Sequence, residues 1–439
     1  MKYKMIMYAK LNKGHSMNAA TQASLSSEQP DDKISPYSSF SFPNGQLVKN
    51  RIVKAAMEEN LSNSELEPSD TLIQLYQTWS AGGAGLLLTG NVMVDARAMT
   101  GPGGVALERD TPLDRFIIWA KAAQSNNTKV WMQINHPGRQ VYANMNGVVL
   151  APSAVKVDLG KLSKLFGQPE AMSETQIEEV ITRFGDTAVN AEHAGFNGVQ
   201  IHAAHGYLVA QFLSPRVNQR TDQWGGDLTN RARLLMRIVD EVKARTNRDF
   251  AVSVKLNSAD FQRGGFDEID ALSVVQMLAQ KGIDMVELSG GSYEAPAMQG
   301  MTRDGRTLAR EAYFLEFARE IAQQTAVPIM TTGGITQLTT VQQVLNDGVQ
   351  LVGLATALAI RPDVPNHWQQ HPNYQVPKPQ VSWQNKSLQA LAVMAMIKRN
   401  LHRIGRGKAP KFLMSPVLSL MNDQWRKMRL TKRYNQRQD

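Results

Sequence analysis

Two histidines and a tyrosine stand within six positions in the stretch His202-Ala203-Ala204-His205-Gly206-Tyr207. A neutral imidazole carries an N–H that can be given to a carbonyl oxygen. Two such donors on one oxygen would hold the enolate that forms when hydride adds to the β-carbon of a conjugated enone. Removing one donor of this kind typically costs about 3–4 kcal/mol of transition-state stabilisation. The phenol of Tyr207, with an ordinary pKa near ~10, is protonated at neutral pH and suits a proton donor to the α-carbon. Along a continuing strand His202 and His205 would face opposite sides, so they share a site only if the chain turns after Ala203. Ala203, Ala204 and Gly206 make that turn sterically easy. Two other readings stand beside this one: the three side chains plug a core and cap a loop, or the histidines hold a metal, for which no obvious third carboxylate or imidazole lies nearby.

The elements that must position these residues follow a simple alternation. Short β-branched runs at 51–56, 85–89, 129–135, 198–203, 250–256, 285–289, 328–332 and 351–354 are separated by longer helical patterns. Examples are 173–193, opened by Ser173 with Gln176 three positions on, and 230–245. Eight βα units predict an α/β fold of the (β/α)8 TIM-barrel type. Polar and glycine-bearing residues concentrate just after the strand ends, which in a barrel open on one face. The segment 135–172 has no helical pattern, and an excursion of that length is expected to be a lid or a substrate rim. A doubly wound fold would need a glycine fingerprint near its first strand. The nearest approach, Gly101-Pro102-Gly103-Gly104-Val105-Ala106, contains a proline and opens no helix.

With 439 residues and 42% hydrophobic content, the chain suits one barrel with appendages: a leader over 1–36, a barrel over 37–365 and an extension over 366–439. The absence of cysteine removes disulfides, thiolate metal sites and cysteine nucleophiles. The basic start lacks the apolar stretch of a secretory signal, and no run approaches the roughly 18 apolar residues of a membrane span, so a cytoplasmic protein is expected. The net charge of +9 is uneven: from Pro379 onward 13 Lys and Arg face two acids, a local +11, and the remainder sums to −2. No nucleic-acid partner is therefore expected of the barrel, while the basic, largely helical tail is a candidate for an anionic surface or a partner, and a homo-oligomer is compatible. Its first helix, expected over 387–404 and ending near Gly405, carries Leu391, Met394, Ile397 and Leu401 at helical spacing and is expected to pack on the barrel.

The fourth-strand segment, continued through Leu208-Val209-Ala210-Gln211-Phe212-Leu213-Ser214-Pro215 and Asn218-Gln219-Arg220-Thr221-Asp222-Gln223-Trp224-Gly225-Gly226-Asp227-Leu228, resembles the Old Yellow Enzyme family of FMN-dependent ene-reductases. The similarity runs from about Pro43 to Asp363. It implies that His202 and His205 bind the substrate carbonyl, that Tyr207 donates the proton, and that FMN delivers hydride. It implies further that backbone at Ala56 and Met57 lies along the flavin, that Gln133 bonds its pyrimidine edge, and that Lys255 sits near N1 where the family usually has arginine. Gly290 and Gly291 would let backbone approach the cofactor. Gly333, Gly334 and the helix opened by Ala355 and Thr356 would hold its phosphate, in the places barrels use for that purpose. NADH or NADPH would reduce the flavin and leave before an α,β-unsaturated carbonyl compound enters, a ping-pong cycle.

Two departures stand out. Thr356 aligns where an arginine usually clamps the phosphate, and Glu58 occupies a place beside the flavin where relatives often carry threonine or cysteine. The first predicts weaker FMN binding, and the second a lower reduction potential. Other FMN-barrel chemistry, such as dienoate reduction or amine demethylation, and a degenerate flavin-binding scaffold remain as alternatives. Arg139 is expected to order the 135–172 excursion, with contact to substrate as the alternative, and Arg220, Asp222 and Arg231 to brace the loop after the fourth strand.

Overall fold

The computed structural model describes residues 34–295 and 314–438; positions 1–33 of the expected leader lie outside them. Eight parallel strands close on themselves: β1 (Ile52–Lys54), β2 (Leu86–Leu88), β3 (Lys129–Asn135), β4 (Gly198–Ala203), β5 (Ala251–Asn257), β6 (Met285–Ser289), β7 (Ile329–Thr332) and β8 (Leu351–Leu354). Each pairs with the next, and β8 returns to β1 with Leu354 beside Lys54. The predicted (β/α)8 barrel is the fold observed. Four strands keep their predicted bounds, and the other four differ by one or two residues at an end, where single backbone hydrogen bonds decide the limit.

Helices cross between strands on the outside: α1 (Asp70–Ala81), α2 (Asp114–Ala123), α3 (Glu174–His193), α4 (Leu208–Leu213), α5 (Leu228–Arg245), α6 (Glu268–Gln280), α7 (Leu315–Ala322), α8 (Leu338–Asn346) and α9 (Thr356–Ile360). The Ser173 hydroxyl accepts from Gln176 N and the Gln176 side chain accepts from Ser173 N, so α3 opens with the reciprocal cap its sequence predicts. Helix α5 starts two residues earlier than its pattern suggested, because the Asp227 carboxylate accepts from Asn230 N.

Inward side chains fill the barrel in two chemically distinct tiers. The lower tier is apolar, with Val53, Leu88, Trp131, Met285, Met330 and Leu351 closed from below by Phe42 and Val48 of an N-terminal hairpin. The upper tier is polar, because Gln133, Gln200, Lys255, Glu287 and Thr332 face inward one pleat higher. That tier forms the floor of the mouth.

Beyond the barrel come α10 (Val364–Gln370), α11 (Lys386–Ile404) and α12 (Pro416–Gln438). Trp368, Ile397, Leu401 and Ile404 are buried in the same core as the barrel helices, so the extension is integral to the fold. Helix α11 begins one residue before its predicted start and ends at Gly405 as predicted. Its successor α12 runs 23 residues, where the sequence had suggested only a basic cluster. No helix among the described residues is long and apolar enough to cross a membrane.

Candidate active site

The turn after β4 is what assembles the site. His202 points inward from the strand, His205 adopts a left-handed conformation (φ 59°), and Gly206 follows at φ 73°, a region that favours glycine. This reversal returns the His205 ring to the side of His202. The imidazoles lie edge to face with centroids 4.9 Å apart, and the Tyr207 ring stands 4.9 Å from His202. The structure thus brings the three predicted residues together.

Local hydrogen bonds fix their chemistry. His202 Nδ1 accepts from Ala204 N at 3.2 Å, so a neutral His202 carries its proton on Nε2, where it is available to an acceptor in the mouth. His205 Nε2 lies 2.7 Å from Ser289 Oγ at the end of β6, and His205 N donates to Asn257 Oδ1 at the end of β5. Burial, and next the positive charge of Lys255, hold both imidazoles well below the ordinary range, so both are neutral at pH 7. Burial and then the Glu58 carboxylate raise the Tyr207 phenol well above its usual value, and Tyr207 OH lies 3.0 Å from Tyr293 OH.

The long excursion after β3 supplies the wall of the mouth. Tyr142 stacks on Phe166 at 5.1 Å, and Phe166 meets Tyr293 at 5.8 Å, continuing the aromatic series that ends at Tyr207. Arg139 organises this segment: it donates to the carbonyls of Val155 and Lys156 and pairs with Glu294 at 2.7 Å. Arg220 pairs with Asp222 and also donates to Pro152 O and Met172 O, while Arg231 pairs with Asp270 and donates to Leu213 O. All three brace loops around the mouth.

The cofactor-site candidates divide by surroundings. Ala56, Met57, Thr332, Gly334, Ala355 and Thr356 are partly exposed at the ends of the neighbouring strands β7, β8 and β1, and form one open arc of the rim. Gly333 is buried, and both Gly333 and Gly334 have positive φ. Gly290 and Gly291 are buried at the end of β6, where a Cβ on Gly290 would lie 2.6 Å from the Phe261 ring. The space over Gly290 is therefore filled by protein side chains. Gln133 is 2% exposed and donates to Gln200 Oε1; Gln200 donates in turn to Glu287 Oε2. Lys255 Nζ sits 2.7 Å from Glu287 Oε1, an ion pair whose side chains are 6% and 0% exposed. Its charge is compensated within the barrel, so it meets the mouth as one end of a pair.

Directly above Gln133, Asn135 is fully buried, and neither its amide nitrogen nor its amide oxygen has a hydrogen-bond partner among the described residues. A buried amide with both ends unmet marks a place for a polar ligand. This orphaned pair beside Gln133, with the open arc of backbone at β7, β8 and β1, fits a flat, hydrogen-bonding ring system carrying a phosphate. No group of three or more metal-ligating side chains occurs among the described residues.

Sequence reasoning missed Gln200, Glu287, Tyr293, Asn135 and Ser289. The strand alternation that puts Gln200 on the face of His202 was a usable signal. Glu287 and Ser289 enter the site only through strand register, which sets Lys255 opposite Glu287 and Asn257 opposite Ser289, and Tyr293 enters through the chain that follows β6.

Comparison with known proteins places the chain in a family. Residues 40–375 match the model of the NADH:flavin oxidoreductase / NADH oxidase family, and the chain belongs to that family of FMN-dependent enzymes oxidising reduced nicotinamides. It is 34% identical over 346 residues to the NADH-dependent flavin oxidoreductase iliE of Neonectria sp. (strain DH2), covering 73% of this chain and 45% of that protein. It is 35% identical over 298 residues to the NADH-dependent flavin oxidoreductase nadA of Aspergillus parasiticus, covering 65% and 67%. The chain thus spans under half of one relative and two thirds of the other. Among solved structures, the old yellow enzyme homologue from Zymomonas mobilis superposes with a TM-score of 0.67 at 22% identity, over 78% of this chain and 94% of that one. At that identity the likeness speaks for the barrel alone.

Proposed function

We propose that this protein reduces the activated C=C bond of α,β-unsaturated carbonyl compounds at the expense of NADH or NADPH, with the two substrates using one mouth in turn. The observation that carries this reading is the tautomer and placement of His202. Its Nδ1 is occupied by Ala204 N–H, so Nε2–H is held ready beside His205 and Tyr207. Two neutral imidazoles at a carbonyl oxygen stabilise the developing enolate without adding a mobile charge. Tyr207, kept protonated by burial and by Glu58, gives its proton to the α-carbon, and the adjacent hydroxyl of Tyr293 can reprotonate it.

FMN, when bound, supplies the hydride that adds to the β-carbon, so that hydride and proton together account for the two electrons and two hydrogens gained. Residues suited to hold it are the backbone at Ala56 and Met57, the amides of Gln133 and Asn135, and the rim at Gly333, Gly334, Ala355 and Thr356. The Tyr142–Phe166–Tyr293 wall gives the substrate an apolar face and keeps water from the proton path. Thr356 offers no charge to a phosphate, so the flavin is held less firmly than an arginine would hold it.

The test is anaerobic mixing of the purified yellow protein with NADH or NADPH, followed by 2-cyclohexenone. Bleaching of the flavin by a nucleotide and recovery on adding the enone are expected. Absence of bleaching with both nucleotides, or bleaching that the enone fails to reverse, refutes the proposal.

A further inference from the structure

The C-terminal hairpin carries two faces, and the barrel accounts for one of them. The inner face of α12 is fixed to the rim: Arg426 donates to Asn60 O, Arg433 to Asn63 O, and Tyr434 OH to Ala96 O, while Leu430 is buried. On the outer face Val417, Leu418, Met421, Trp425 and Met428 recur at helical spacing, and all are exposed, Met428 to 65%. The connection entering this helix adds Phe412 and Leu413, the latter 96% exposed. An apolar stripe of this extent is unusual on a surface that contacts water alone.

Beside the stripe, between α11 and α12, lies a cleft of about 570 Å³. Arg399, Arg403, Arg406, Arg426, Arg429 and Arg433 line it together with Lys408, and no acidic residue does. None of these seven cations has an ion-pair partner among the described residues. Leu418 and Trp425 belong to both the stripe and the cleft wall, and the Arg429 guanidinium sits 5.3 Å over the Trp425 ring. Burial, and next the like charges of Arg406 and Arg433, push Arg426 down to about 10 against the opposing attraction of Asp423.

We propose that the α11–α12 hairpin docks the protein peripherally on an anionic phospholipid surface, with the apolar stripe of α12 entering the headgroup boundary and the arginine cleft receiving lipid phosphates. A polar helix with one apolar stripe, bordered by Arg and an interfacial Trp, has the pattern of helices that lie in a membrane interface rather than cross it. Charge decides against a second copy of the chain as the occupant. A two-fold contact brings identical patches together, and here it would set two tails of +11 against each other. The hairpin is already bonded to the rim beside Glu58, so docking would also hold the barrel mouth at a set distance from the lipid.

The full-length protein is tested by cosedimentation with vesicles of phosphatidylcholine alone or mixed with phosphatidylglycerol. Binding is expected to the anionic vesicles only and to fall with salt. Trp425 fluorescence should be quenched by brominated acyl chains, and Trp425→Phe should lose that quenching. Met421→Asp with Met428→Asp, and separately Arg406→Gln with Arg429→Gln, should release the protein, the latter by about fivefold for each arginine. All four side chains point to solvent or to the cleft, so unchanged melting temperatures check the fold. No binding to anionic vesicles at low salt, equal binding to neutral ones, or binding retained by both variants overturns the proposal. So does a dimer in light scattering that Met421→Asp with Met428→Asp abolishes, or binding of an acidic polypeptide without binding of vesicles. These readouts need no turnover, so they stand or fall apart from the proposed reaction.

Discussion

Replacing Tyr207 by phenylalanine removes one oxygen and leaves the ring. The packing of that ring against His202 at 4.9 Å is kept, so the fold should lose only the hydroxyl contact with Tyr293 at 3.0 Å. Leaving the Tyr293 hydroxyl without that partner costs about 1–3 kcal/mol of stability, which a melting curve will register without loss of the native state. The kinetic effect is larger. A positioned general acid contributes roughly 10²–10⁴-fold, equivalent to about 3–5 kcal/mol at 1.36 kcal/mol per decade. That loss should fall on one half of the cycle alone. Anaerobic stopped-flow separates the halves: bleaching by NADH should change by less than about twofold, and reoxidation by 2-cyclohexenone should slow by the full factor. Because burial and Glu58 hold the phenol protonated throughout the accessible range, the wild-type reoxidation rate should be flat with pH from about 6 to 9. Tyr293→Phe, which keeps the Tyr207 hydroxyl, should slow reoxidation by no more than about tenfold. Unaltered reoxidation in Tyr207→Phe, or equal slowing of both halves, refutes the assignment of the proton to this residue.

Two further outcomes follow from charges held inside the fold, and a third from the rim. The folded-state pKa values of His136, near 4, His402, near 3, and both site histidines lie below the unfolded value near ~6.5. The unfolded chain therefore binds protons that the folded chain refuses: stability is complete above that pH and is lost below it, by about 1.4 kcal/mol per pH unit for each histidine. Denaturation between pH 7.5 and 5.5 should show this slope, and His402→Gln should flatten it; rising stability on acidification would contradict the reasoning. Glu287→Leu strands the Lys255 ammonium in the barrel and should cost about 3–5 kcal/mol in a urea titration, with most of that recovered by adding Lys255→Met. Equal loss in the single and double variants would mean the pairing is immaterial. Thr356→Arg should tighten FMN by roughly ten- to a hundredfold in equilibrium dialysis, the worth of a hydrogen bond to a charged group; unchanged affinity would remove the phosphate from that corner of the rim.

The alternation of β-branched runs and helical patterns was enough to specify the eight strands, because each βα unit is a local object whose hydrophobic period can be read within some 30 residues. Caps were equally local, as Ser173 and Gln176 demonstrate. The grouping of His202, His205 and Tyr207 was legible for the same reason: the turn that unites them is written in Ala203, Ala204 and Gly206, within one stretch of chain. The ordering role of Arg139 was also anticipated, although its partners at Val155, Lys156 and Glu294 were not.

What the chain could not disclose is whatever depends on register between strands or on distant segments. Nothing in the local sequence names a partner for Lys255; only the parallel pairing of β5 with β6 sets Glu287 opposite and compensates it. Tyr293 joins the site through the return of the chain after β6, and the wall of Tyr142 and Phe166 arises where the 135–172 excursion folds back over the mouth. The tail is the sharpest case. Its net charge of +11 was plain in the composition, but sequence could not say that Arg426 and Arg433 would bond rim carbonyls while also lining, with other arginines, a cleft beside an exposed apolar stripe. Local sequence determined the elements and the turn that groups His202, His205 and Tyr207, since these rest on neighbours along the chain. The compensation of charge and the division of the tail into a bonded and an open face were decided by the tertiary structure, since Coulomb forces and burial act through space.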